Sequence, residues 1–391
     1  MPRIMAAAAA LAGSASRILR KIIKGSARLW PAVTAAPGCW SCSQGAKRYL
    51  LRDNAIGLQQ FQEKKLATRR LIYEDKDSYF RNIKEKMEKK ELILRNELKI
   101  LLHLCQTSDD VEIAKSAIYR YHSENRTMAF GDYKFGPIFM RLCYELGLEV
   151  PAVELIKDET LYGFFSDGQS FALLMDMLFK KGYYEDAFEV LEEMEKQHVK
   201  YIKDTFLLAF AICYKLNSPV SWKKFTKILE ENQFQLDTLP RITYCFAVAF
   251  ALKQNDLEKA QYIYSLIMNP DSRLCTNLKI LMQIKSGALE ETLKTLEAVL
   301  EENTPELVKK TQISEQVLAT VREELEENPA LLVRLEDIYD QLKASGKVTK
   351  LTLDEMLCKI PLYKEYYKKL STERTVSLRT FKPLQSVLKT E

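Results

Sequence analysis

Four lysines recur at one place in this chain: Lys180, Lys215, Lys253 and Lys285 each stand two residues ahead of Gly182, Asn217, Asn255 and Gly287. Ammonium groups repeated at a fixed structural place could form a single cationic row, and what such a row can do chemically is neutralise a run of phosphates. A second reading stays open. A lysine near a helix C-terminus also complements the helix dipole and the open carbonyls there, for under about 1 kcal/mol each. Cys39 and Cys42 form a CxxC, a pattern that suits metal binding or redox work, but no second pair follows. His103, His122 and His198 are the three histidines, and their spacing fits no zinc site. Cys105, Cys143, Cys213, Cys245 and Cys275 sit among apolar neighbours and read as small core residues. There is no GxSxG, no phosphate-binding glycine loop, no HxE with paired cysteines, and no acidic cluster distinct from ordinary helix surface. The expectation is no catalysis, no metal and no cofactor.

A repeated helical hairpin would position the lysines. In the stretch Ser170 to Met194, Phe171, Leu174, Met175, Leu178 and Phe179 recur at helical spacing, Gly182 breaks the run, and Ala187, Val190, Leu191 and Met194 resume it. Each helix has one apolar stripe, so a lone hairpin would leave apolar surface in water and needs neighbours on both sides. Equivalents of Gly182 occur at Asp109, Gly147, Asn217, Asn255 and Gly287, a period of about 35 residues. All are Gly, Asn or Asp, the types that adopt a left-handed turn most cheaply. Five residues on stand Ala114, Ala152, Ala187, Trp222, Ala260 and Thr292, mostly small, where two helices approach closely. Twelve residues before the turn, Ser170, Thr205 and Thr243 each precede an aromatic, and Cys275 precedes Thr276; a hydroxyl cap is the expected opening. Stacking such hairpins about 10 Å apart would align the four lysines.

The formal charge of +5 is uneven: the first 52 residues hold nine of the 58 Lys and Arg and no acid, leaving 49 basic against 53 acidic residues in the remainder. Any nucleic-acid surface on that acidic body must be local. Residues 1 to 48, rich in Ala, Ser and Arg, contain an amphipathic helix in which Ile18 and Ile22 oppose Arg17, Lys21, Lys24 and Arg28. This predicts a mitochondrial transit peptide, with cleavage near Lys47 to Leu50. A secretory signal, suggested by Met5 to Ala12 ahead of Gly13 and Ser14, leaves the basic helix unexplained and predicts disulfides that the scattered cysteines do not suggest.

Residues 49–90 read as two charged, exposed helices anchored sparsely by Phe61, Leu66, Tyr79, Phe80, Ile83 and Met87. Residues 91–302 hold the repeats. Gly136 and Pro137 are expected to interrupt and kink one first helix, Pro151 to sit in the first turn of a second helix, and Ser218 with Pro219 to cap and open another. Residues 303–370 continue as a helical cap, marked by Thr304 with Pro305, Asn328 with Pro329, Gly346 as a stop and a capping box from Thr352 to Glu355. Residues 371–391, with Arg374, Arg379, Lys382 and Lys389, form a basic tail expected to be flexible. No apolar run is long enough to span a membrane.

The turn Gly182, Tyr184, Ala187 fits both tetratricopeptide and pentatricopeptide repeats. The hydroxyl-aromatic helix start, the period near 35, Met194 closing the second helix and the presequence resemble the pentatricopeptide repeat family, whose pattern Ser166 to Val199 and Thr243 to Ile267 follow without a gap. That resemblance implies a right-handed, all-α solenoid with a C-terminal helical cap, and a protein of the mitochondrial matrix. It implies binding of single-stranded RNA along a concave face of first helices, in support of transcript processing, stability or translation, with any cutting done by a partner nuclease. The base-selecting place holds Ala172, Leu207, Cys245 and Asn277, of which only Asn277 is polar, and the second such place holds Ile202, Pro240 and Ser272. A readable base code is mostly absent, which leaves backbone contacts, or a protein partner such as the small mitoribosomal subunit, as the alternative.

Overall fold

The computed structural model describes residues 50–72, 75–125, 133–232, 239–301 and 311–358. The presequence, the CxxC pair, the Thr304–Pro305 signal and the basic tail lie outside the described residues.

The chain folds as an all-α solenoid. After α1 (Asp53–Ile56), α2 (Leu58–Leu71) and α3 (Lys76–Glu88), hairpins follow in sequence. These are α4 (Arg95–Leu104) with α5 (Ser108–Asn125), α6 (Gly136–Leu146) with α7 (Glu149–Lys157), and α8 (Gly168–Lys181) with α9 (Tyr184–Lys196). Next come α10 (Lys203–Leu216) with α11 (Pro219–Glu231), α12 (Arg241–Lys253) with α13 (Leu257–Ser265), and α14 (Arg273–Lys285) with α15 (Leu289–Glu301). The first helices α4, α6, α8, α10, α12 and α14 pack in order as one layer, and the second helices cover them from outside. A further pair, α16 (Glu315–Leu325) and α17 (Pro329–Ala344), stacks on α14 and α15, and the short α18 (Leu353–Leu357) lies against α12 and α14. Two-residue strands β1 (Ile313–Ser314) and β2 (Val348–Thr349) pair in parallel beside α16.

The turn chemistry explains the regular hairpins. Gly147, Gly182, Asn217, Asn255 and Gly287 all take left-handed φ, from 47° to 83°. There the small Ala152, Ala187 and Ala260 are fully buried against the preceding helix. The first hairpin departs from this rule. Asp109 lies inside α5 instead of in a turn, because Asp110 closes the corner by accepting from the Gln106 and Thr107 amides at 2.8 and 2.9 Å. The helix openings also differ from expectation. Helices α8, α10 and α12 begin two residues before Ser170, Thr205 and Thr243, so the hydroxyl sits at the third helical position and not at the cap. Ser170 Oγ donates to Asp167 and Thr205 Oγ1 to the Ile202 carbonyl, at 2.9 Å each. In Ser170 and Thr205 the hydroxyl is small enough to be fully buried while bonding back to the preceding turn; Thr243 is equally buried, and its Oγ1 makes no such bond among the described residues.

Gly136 and Pro137 open α6 instead of interrupting it, since proline's missing N–H costs nothing in a first turn. Ser218 caps α11 with Pro219 at its first position, and Thr352 and Glu355 exchange backbone-to-side-chain bonds, both as the sequence implies. The N-terminal helices are less exposed than their charge suggests: α2 packs on α4 and α6, α3 on α4 and α5, burying Phe61, Phe80 and Ile83, while Leu66 stays exposed. The five array cysteines are buried in the core. No helix among the described residues is long and apolar enough to cross a membrane.

Candidate nucleic-acid interface

The four lysines stand in the last turns of α8, α10, α12 and α14, as their spacing requires, yet the protein engages each of them differently. Lys285 Nζ donates to the Leu252 carbonyl at 2.7 Å and to Asn255 Oδ1, capping the end of the neighbouring first helix. Lys215 is clasped by both carboxylate oxygens of Asp354, at 2.6 and 2.5 Å, when α18 folds back on the array. Lys180 lies 3.3 Å from Asp176 and over the Tyr144 ring at 4.4 Å. Lys253 lies over the Tyr214 ring at 3.6 Å, and loss of water there lowers its pKa. Lys253 and Lys285 remain exposed as residues.

Asn277 is fully buried, and its amide is committed to the backbone. Its nitrogen donates to the carbonyls of Arg273 and Gln312 at 2.7 and 3.0 Å, and its oxygen accepts from the Ser314 amide at 2.9 Å. It pins β1 to α14, with no edge left for a base. Ala172, Leu207 and Cys245 are buried as well. Asn277→Ala should therefore act on stability, costing about 1–3 kcal/mol by stranding the Ser314 amide. Urea titration should show that loss, while the protein's preference among homopolymer RNAs stays the same.

The structure gathers other cations. A cleft of about 860 Å³ opens between α2, the starts of α6 and α8, and the α9–α10 connection, with Lys64, Lys134, Arg141 and Lys200 on its wall beside the His198 ring. Asp167 is its one acidic residue, and both its oxygens are taken by the amide and hydroxyl of Ser170, at 3.0 and 2.9 Å. Lys64, Lys134 and Lys200 are exposed and have no carboxylate partner among the described residues. Arg141 donates through Nε to the Ile56 carbonyl at 2.7 Å; burial lowers its pKa, but a guanidinium stays charged. Tyr133 stands at the rim with Arg95 and Lys99 at 5.8 and 5.3 Å from its ring. Backbone approaches closely here too: a Cβ on Gly168 would meet the Lys200 carbonyl at 3.0 Å. Such a wall can bind phosphates and stack a base, but it holds no nucleophile with an adjacent base. The described residues contain no group of three or more metal-ligating side chains. Sequence reading missed these cations because they come from three separate segments and follow no period.

Residues 42–374 match the family described as Mitochondrial 28S ribosomal protein S27. Pentatricopeptide repeat-containing protein 2, mitochondrial, from Xenopus laevis is 50% identical over 368 residues, covering 94% of this chain and 96% of that protein. The Homo sapiens protein of the same name is 51% identical over 350 residues, 90% of each chain. The Mus musculus protein is 50% identical over 364 residues, 93% of this chain and 96% of its own. The chain belongs to the S27 family and, within it, groups with these pentatricopeptide repeat proteins. As an S27-family pentatricopeptide repeat protein it is mitochondrial.

Proposed function

We propose that this chain binds single-stranded RNA in the mitochondrial matrix and supports transcript processing, stability or translation without catalysing them. The observation that carries this reading is the cleft: Lys64, Lys134 and Lys200, unpaired among the described residues, converge with Arg141 on a body that is otherwise acidic. Binding there is by phosphate contacts and shape, with little reading of bases, because Ala172, Leu207, Cys245 and Asn277 at the first base-selecting place are buried. Lys253 and Lys285, exposed at the last turns of α12 and α14, add positive charge along the first-helix layer, whereas Lys180 and Lys215 are paired with Asp176 and Asp354, and a nuclease acting in trans performs any cleavage.

One observation favours a second reading. The family match names a ribosomal protein, which suits a protein-binding scaffold associated with the small mitoribosomal subunit. Crosslinking in intact mitochondria followed by gradient sedimentation, with and without RNase, separates the two. The expected result is a pool lighter than the ribosome that carries crosslinked RNA and shifts on RNase treatment. Stable co-migration with the small subunit, with no free RNA-bound pool, contradicts the first reading and supports the second.

A further inference from the structure

Asp176 lies in the middle of α8 with no exposed surface, between the buried Met175 and Met177. A buried carboxylate is costly unless it is paired or richly hydrogen-bonded. Tyr144 Oη of α6 donates to Oδ2 at 2.8 Å, and Lys180 of the same helix stands 3.3 Å from that oxygen. The other oxygen faces the start of the described chain. The Leu51 amide donates to Oδ1 at 3.2 Å across 125 residues of sequence, and the Leu50 amide donates to the same carboxylate. Leu50 and Leu51 are buried, Arg141 and Gln169 hold the carbonyls of Ile56 and Ala55 at 2.7 and 3.4 Å, and the segment is thereby laid across α6 and α8. Asp204 of α10 and Arg52 are the remaining charges nearby.

The acid-free basic stretch of the sequence ends here, with Lys47 and Arg48 just ahead of Leu50. We infer that the chain is processed at the Tyr49–Leu50 bond and that Asp176 is the binding site for the new amino terminus. The inference rests on the transit-peptide reading of residues 1–48 and is independent of RNA binding. A leader-removing endopeptidase adds water across the bond: Tyr49 leaves as a carboxylate with the leader, and the Leu50 nitrogen becomes an amine that takes up a proton. An amide donor already within reach of the carboxylate becomes an ammonium. The hydrogen bond is thereby replaced by a buried ion pair, and removal of the leader tightens the seating of the segment on α6 and α8.

Two measurements test this. Mass spectrometry of N-terminal peptides of the endogenous protein purified from mitochondria should give a start at Leu50. Any other start, including an intact Met1, overturns the inference. The chain beginning at Leu50 with a free amine should melt about 2 °C or more above the same chain acetylated on that nitrogen, which keeps the N–H and removes the charge. In an Asp176→Asn background the difference should vanish. Equal melting of the free and acetylated wild-type chains overturns the ion pair even if the start is Leu50.

Discussion

Lys64→Gln, Lys134→Gln and Lys200→Gln together should flatten the salt dependence of RNA binding. Single strands contribute roughly −0.7 to the slope of log affinity on log salt for each phosphate neutralised, so three contacts account for about −2 and on the order of 100-fold in affinity at 0.1 M salt. These side chains are exposed at the rim and make no ion pair among the described residues, so the variant should fold and melt as the wild type does. Fluorescence anisotropy on a short single-stranded RNA across a salt series reads both quantities. The companion variant with glutamine at Lys180, Lys215, Lys253 and Lys285 should behave differently. It loses the Lys215–Asp354 pair and the Lys285 cap on Leu252, so its first consequence is a lower melting temperature, with a smaller change in slope. An unchanged slope in the cleft variant would remove the phosphates from that wall.

Phe206→Ala should cost about 3–5 kcal/mol, the range for truncating a large, fully buried aromatic side chain. Phe206 is 1% exposed, stacks on Tyr201 at 5.0 Å and meets Phe210 edge-on at 6.3 Å, in the middle of the first-helix layer. Because each hairpin is stabilised by its neighbours, the cavity weakens the stacking of α10 on both α8 and α12. Circular dichroism should show an almost wholly helical spectrum for the wild type and a markedly lower melting temperature for the variant. A spectrum with substantial strand content would contradict the architecture itself.

The hairpins were legible because their signals are local and repeated: Gly182 or Asn217 at a turn, Ala187 or Ala260 five residues on, and apolar residues at helical spacing all lie within one repeat. Ser218 with Pro219, and Thr352 with Glu355, were readable for the same reason. The first turn was misread because Asp110, one residue past the periodic position, supplies a side-chain corner that no spacing rule marks. Partnership was harder to see than position. The lysine ladder occupies the places its period implies, but Asp354 approaches Lys215 from 139 residues away and Asn277 is filled by the backbone of Gln312 and Ser314. Lys64, Lys134, Arg141 and Lys200 come together through the packing of α2 on α6 and the fold of the α9–α10 connection, a convergence that exists only in three dimensions.

The most direct test of RNA binding at the cleft is ultraviolet crosslinking of the full chain to single-stranded RNA, with the modified residues assigned by mass spectrometry. Adducts should concentrate on Tyr133 and on the peptides holding Lys134, Arg141, Gln169 and Lys200, and should fall away in the triple glutamine variant. Adducts confined to α12, α14 and α18, with none on the cleft wall, would contradict the account.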